Sequence, residues 1–221
     1  MKLLLNALIK FFCGLLLVGL LIFLPAGTLA YTNGWILIGL LFVPMLIAGF
    51  VMFFKSPEFL AKRLDAKEKQ ATQKGVLAVS GVMFVSGFVV AGLDYRFGWS
   101  QMPMAVVMIA SVLFLIAYAL YAEVMRENAY LSRTIQVEEG QKVVDTGLYG
   151  IVRHPMYMAT ILLFLMIPLV LGSWYSLIIF AFYPAIIIVR LTDEEDLLTR
   201  ELSGYAAYKQ KVKYRIIPFI W

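Results

Sequence analysis

Long apolar runs separated by short polar segments set the pattern of this chain. After a mildly basic start, the runs fall at residues 11–30, 31–54, 76–93, 103–122, 157–172 and 174–191. A helix that spans a bilayer needs about 20 apolar residues, and these runs reach or approach that length. The pattern predicts about six transmembrane helices, with the last two forming a helical hairpin joined at Gly172-Ser173. Residues 55–74 form a basic loop carrying Lys55, Lys62, Arg63, Lys67, Lys69 and Lys74. Near 134–144, Thr134-Ile-Gln-Val and Lys142-Val-Val flank Glu-Glu-Gly, and β-branched runs around a glycine turn predict a short β-hairpin. A polar tail, 192–221, closes the chain.

Hydrophobic residues make up 62% of the chain, against about 45–50% in soluble domains. This excludes a soluble enzyme with an anchor and implies a polytopic membrane protein. The first run also fits a cleaved leader ending at Thr28-Leu29-Ala30. It is long for one, and the next run follows closely, so it is read as a span. Formal net charge is +5, and nucleic acid is no partner for a chain this apolar. A single cysteine, Cys13, and a single histidine leave no disulfide framework and predict no metal site. With six spans and a cytoplasmic N-terminus, Arg96 alone of the 19 Lys and Arg residues faces the far side. The positive-inside rule therefore predicts that both termini are cytoplasmic, and the same charges suit anionic headgroups. The organisation expected is an N-terminal set of four spans, 1–127, followed by a motif-bearing region, 128–221.

Two polar clusters interrupt the apolar pattern of that second region. Residues 147–157, Gly-Leu-Tyr-Gly-Ile-Val-Arg-His-Pro-Met-Tyr, hold the only histidine. Pro155 suits the first position of a helix, where its missing N–H costs nothing. Read as structure alone, His154 caps that helix and Arg153 snorkels to lipid phosphate. Tyr149 and Tyr157 flank the histidine, and their ring faces suit a cationic ligand. The second cluster is Arg190-Leu-Thr-Asp-Glu-Glu-Asp. As structure, Thr192 and Glu195 spell a capping box, the acidic residues suit a first helical turn, and Arg190 pairs with Glu194 four residues on. As function, Arg190 holds an anionic group and Glu194 binds hydroxyls or an ammonium. Ionisable groups cost about 2.5–3.5 kcal/mol at mid-bilayer on insertion scales, which makes function the first suspicion. Backbone amides around 136–144 suit an adenine or ribose edge. Tyr205, Tyr208, Lys209, Lys211, Lys213, Tyr214 and Arg215 in the tail read as an interfacial anchor.

Together, Asn128, Gly147-x-Tyr149-x-x-x-Arg153-His154-Pro155-x-Tyr157, Gly172-Ser173-Trp174, Glu194-Glu195-x-x-Leu198 and Tyr205-x-x-Tyr208 resemble the isoprenylcysteine carboxyl methyltransferase family. That family belongs with the integral-membrane phospholipid methyltransferases. The likeness covers roughly 128–218 and keeps order and spacing. It implies an all-α membrane enzyme with an S-adenosylmethionine pocket at the cytoplasmic face, open sideways to lipid. By the family pattern, Tyr149, His154, Pro155, Met156, Tyr157 and Glu194 line that pocket. Gln136, Gln141, Lys142, Val143 and Val144 form another wall. Arg190 faces the substrate, and with Glu194 and His154 it carries the chemistry. Leu148 and Gly150 stand where family members often have proline and a basic residue. The first change is expected to loosen the turn, the second to remove a phosphate or carboxylate contact.

The reaction implied is carboxyl O-methylation of a lipid or isoprenylated small molecule. Three alternatives stand beside it. One is phospholipid N-methylation. Another is an NADPH-dependent sterol-type reductase, whose members carry a similar Arg-His-Pro-x-Tyr element and a basic tail like Tyr214-Arg-Ile-Ile-Pro. NADPH would want an Arg cluster for its 2′-phosphate near the hairpin, which the sequence does not clearly show. The last is a non-enzymatic lipid-binding scaffold.

Overall fold

In a bilayer every backbone N–H and C=O needs a partner within the protein, so apolar runs fold as helices. The computed structural model describes residues 2–64, 71–131 and 137–221. Its helices are α1 Lys2–Ala26, α2 Thr32–Lys55, α3 Pro57–Leu64, α4 Ala71–Phe97, α5 Met104–Glu127, α6 Pro155–Leu171, α7 Trp174–Phe180, α8 Tyr183–Glu201 and α9 Tyr205–Lys211. Five stretches are long and apolar enough to cross a membrane: Lys2–Ala26, Thr32–Lys55, Gln73–Phe97, Met104–Glu127 and Trp174–Glu201. The shorter apolar helix α6 accompanies them.

The turn between α6 and α7 lies where the sequence put it. Gly172 adopts a left-handed conformation, φ 78°, and its N–H donates to the Leu169 and Pro168 carbonyls. Ser173 then caps α7 by accepting from the Ser176 N–H. The sixth apolar run is not one helix, however. It breaks at Ala181-Phe182 because Pro184 has no N–H to give to the Phe180 carbonyl and its ring crowds that group.

The predicted hairpin is replaced by a turn: among the described residues there is no strand, and Thr134 to Gln136 lie outside them. The Gln141 N–H donates to the Glu138 carbonyl at 3.0 Å, and the Glu138 N–H donates to Gln141 Oε1 at 2.9 Å. Gly140, φ 72°, supplies the positive φ the turn requires. The β-branched residues are used as wedges instead of a ladder. Val137 and Val143 pack beside Leu202 and Tyr205, and Val144 packs beside Val124 and Tyr149.

One apolar core draws on both the 1–127 and the 128–221 segments, from Ile22 through Phe114 and Leu171 to Ile216. The most extensive helix pair is α5 against α6, followed by α1 against α4. The second is close because Gly92 has no side chain: a Cβ there would stand 2.5 Å from the Ile22 carbonyl oxygen. Outward-facing residues such as Phe12, Leu24, Val82 and Ile109 remain apolar, as a lipid-facing surface requires.

Polar contacts gather at two opposite ends. At one, the Tyr31 hydroxyl donates to the Leu171 carbonyl, and Asp94 accepts from the Ser100 N–H, the Ser100 hydroxyl and the Ser173 hydroxyl. At the other, Lys62 pairs with Glu138 at 2.7 Å, Lys10 reaches the Leu64 carbonyl, and both sequence clusters meet.

Candidate functional site

The Gly147–Gly150 segment is a 3-10 turn held by the end of α5. The Glu127 carboxylate accepts the Leu148 N–H at 3.0 Å, and Asn128 Nδ2 donates to the Tyr149 hydroxyl at 2.9 Å. A proline at 148 would have no N–H to give. Leu148 therefore does not loosen the turn; it supplies one of its anchors. Gly147, φ 49°, holds a left-handed conformation that favours glycine, and a Cβ there would displace the Glu127 carboxylate.

His154 is the N-cap of α6 by position, yet its side chain makes no capping bond. Its Nε2 lies 3.1 Å from Glu195 Oε1. An ionised carboxylate only accepts, so Nε2 carries a proton. Glu195 is 2% exposed and is the centre of a charge cluster. Arg153 Nε donates to the same oxygen at 2.6 Å, Arg215 Nε to the other at 3.2 Å, and Lys209 stands 3.9 Å away. Arg153 is thus buried in the protein rather than snorkelling to lipid.

The same guanidinium ties down the tail by donating to the Val212 and Lys213 carbonyls at 2.8 and 2.9 Å. The Arg153 and His154 N–H groups donate to the Tyr214 and Arg215 carbonyls. Tyr208 is buried, and its hydroxyl donates to the Tyr149 carbonyl at 2.7 Å. The tail is therefore part of the site's wall, not only an interfacial anchor.

The capping box at Thr192 does not form. α8 runs through that point without a break, and the Thr192 hydroxyl donates back to the Ile188 carbonyl. Glu194 and Glu195 fall in mid-helix, about 100° apart around the axis, and so face different neighbours. Glu194 accepts from the Tyr157 hydroxyl, which in turn accepts from Arg190 Nε at 3.1 Å. The expected Arg190–Glu194 pairing is relayed through this tyrosine.

These groups surround a cavity between α6, α8, α9 and the 141–149 segment. Of the residues singled out from sequence, Gln141, Lys142, Val143, Val144, Tyr149, His154, Met156, Tyr157, Arg190 and Glu194 line it. Pro155 opens α6 and is buried outside the lining, and Gln136 falls outside the described residues. Sequence reasoning missed Asn128, Tyr130, Leu198, Leu202, Tyr205 and Tyr208 as lining residues, and Glu195 as the charge centre. One signal for Glu195 was available. Arg153 and Arg215 flank apolar segments with no carboxylate of their own nearby in sequence, so both needed a partner from elsewhere.

The Tyr205 hydroxyl, 4% exposed, is buried with no hydrogen-bond partner among the described residues. Buried polar atoms rarely go unpaired, and Tyr205 is one of the residues lining the cavity, so this hydroxyl marks a place where a ligand would bond. Burial, then the Glu195 and Glu194 charges, pushes its phenol well above the ordinary tyrosine range. Burial does the same for Tyr149. Both therefore act as neutral phenols.

Comparison with known proteins adds two findings. The chain is 30% identical over 91 residues to the Delta(14)-sterol reductase of Mus musculus, a match that takes in 40% of this chain and 22% of the reductase's length. Residues 106–200 match the model of the isoprenylcysteine carboxyl methyltransferase (ICMT) family. That segment contains α6, α8, the Arg-His-Pro turn and both glutamates of the site, and over it the chain is similar to the isoprenylcysteine carboxyl methyltransferase family.

Proposed function

We propose that this protein is an S-adenosylmethionine-dependent membrane methyltransferase whose acceptor is the carboxylate of a lipid or isoprenylated small molecule. The observation that carries the reading is the Arg190–Tyr157–Glu194 relay at the wall of a cavity that also holds an unpartnered Tyr205 hydroxyl. The match of residues 106–200 to the family model supports methyl transfer by a membrane protein.

The residues present suit the cofactor chemically. Tyr149 and Tyr157 offer ring faces to a cation. Glu194 adds negative charge beside them, and the 141–144 backbone and the Tyr205 hydroxyl offer bonds to the nucleoside. Bound there, S-adenosylmethionine supplies an electrophilic methyl group on a cationic sulfur. A carboxylate acceptor is already ionised at neutral pH and needs no base. The protein's work is then orientation and exclusion of water. Arg190 orients the acceptor with its planar fork. Tyr157 fixes that fork through Nε, and Glu195 fixes His154 and Arg153 behind it. A flat rate profile near neutrality follows. An amine acceptor would first have to lose a proton, and His154 or Glu194 would take it, which gives a steep profile instead.

The site is proposed to open at the cytoplasmic face, with six crossings and both termini on that side. The reductase similarity supports a second reading, nicotinamide-dependent reduction of a sterol-like substrate. Calorimetric titration of the detergent-purified protein separates the readings. Micromolar binding of S-adenosylmethionine and S-adenosylhomocysteine, lost in His154→Ala, is the expected result. Binding of NADPH instead moves the assignment to a reductase. Binding of neither by folded protein leaves a lipid-binding scaffold.

A further inference from the structure

Gln73 lies at the start of α4, outside the segment that matches the family model. It is 0% exposed and reaches across to α8. Arg190 NH1 donates to its Oε1 at 3.0 Å, and its Nε2 donates to Asp193 Oδ2 at 3.0 Å. Arg190 and Asp193 are three residues apart, so they share one face of α8. A glutamine side chain carries an acceptor and a donor on one rigid plane. Reversing that plane would set an N–H against the guanidinium and an oxygen against the carboxylate. The two neighbours therefore fix the amide, and the amide fixes Arg190.

We propose that Gln73 is a positioning residue for the acceptor: it aims the Arg190 guanidinium. This rests on the reading of Arg190 as the group that orients the substrate. Tyr157 holds Nε and Gln73 holds NH1, so the fork is gripped at two points by side chains from two other helices. Losing the NH1 bond removes one of the contacts that aim the fork, and a misaimed fork binds an anionic group without aligning it. The N-terminal helices thereby contribute directly to turnover.

The test uses full-length protein in nanodiscs with S-adenosylmethionine and a prenylated cysteine carboxylate as acceptor. Gln73→Met keeps the length and removes both bonds. It should lower kcat/KM for the acceptor about tenfold, the scale of one bond to a charged group, with cofactor affinity unchanged. Gln73→Glu alone sets its carboxylate against that of Asp193. Combined with Asp193→Asn, it exchanges donor and acceptor while keeping the bond to Arg190, and should restore most of the lost activity. Unchanged kcat/KM in Gln73→Met overturns the proposal. So does an equal fall in cofactor affinity and melting temperature, which would make Gln73 helix glue, or failure of the exchange to recover activity in folded protein. If wild-type protein neither binds the cofactor nor turns over, the reading of function has failed. Positioning is then read from phenylglyoxal modification mapped at Arg190. Faster modification in Gln73→Met supports it, and an unchanged rate overturns it.

Discussion

Adjacent glutamates on α8 carry opposite assignments, and substitution separates them. Glu195 is a buried carboxylate facing Arg153, His154 and Arg215. Removing its charge strands the buried Arg153 guanidinium, a loss of about 3–5 kcal/mol for a buried pair broken on one side. Glu195→Gln should therefore lower the melting temperature sharply even without ligand. Glu194 touches Tyr157 at the cavity wall, so Glu194→Ala should spare most stability and weaken cofactor binding in the same titration. Arg190→Ala should leave cofactor affinity near wild type and lower turnover. Tyr205→Phe gives a sharper contrast. Its unpaired hydroxyl costs about 1–3 kcal/mol when buried, so the variant should be as stable as wild type or more so without ligand, yet bind cofactor more weakly. Weakening in every state would identify a structural tyrosine instead. The pocket-facing residues were legible because the family pattern marks them by type and spacing. Glu195 was not, because a carboxylate three residues after Thr192 in sequence looks the same whether it caps a helix or neutralises a distant arginine.

Elements were legible where a single local signal decides them, and less so where tertiary packing decides. Pro155 before an apolar run and Gly172 after it bound α6 where the sequence said they would. No strand forms over the described part of the predicted hairpin, 137–144, because Val137, Val143 and Val144 have helices to pack against, and burial against them outweighs β propensity. The capping box failed because nothing breaks α8 at Thr192, so its hydroxyl serves the Ile188 carbonyl. Close helix contact at Gly92 makes a prediction of its own. Gly92→Leu must push α1 away from α4, since even a Cβ collides with backbone at Ile22. A cost of about 1–3 kcal/mol, the range for overpacking, should appear as a lower melting temperature with no selective loss of cofactor affinity. Gly147→Ala should behave differently: its Cβ displaces Glu127 from the turn that holds Tyr149, so stability and cofactor affinity should fall together.

At the scale of the whole molecule, length and charge together set how the site meets the membrane. α6 has 17 residues, about 25 Å at 1.5 Å per residue, short of the roughly 30 Å hydrocarbon core. Its first turn begins at the cavity, beside His154. On the proposed function, a short α6 would draw that end of the site below the headgroups, giving a lipid-borne carboxylate access from the side and a polar cofactor access from water. This arrangement needs α6 and the α7–α8 arm to cross separately, and the count can be measured. Alkaline phosphatase fused after Ala26, or within residues 94–101, should be active in the periplasm. Fusions after Gln70 and after Trp221 should be silent. Activity after Trp221 with the other three as expected would mean that α6 and the α7–α8 arm make one crossing between them, and the cavity would no longer face the basic loop. A full reversal would place the basic loop outside, against the positive-inside rule, and take the cavity away from cytoplasmic cofactor. With the expected pattern, Lys62, Glu138, Arg190 and Glu195 share the cytoplasmic side, where a methyl donor would be met, and the short, internally packed α6 would set the depth of the proposed site.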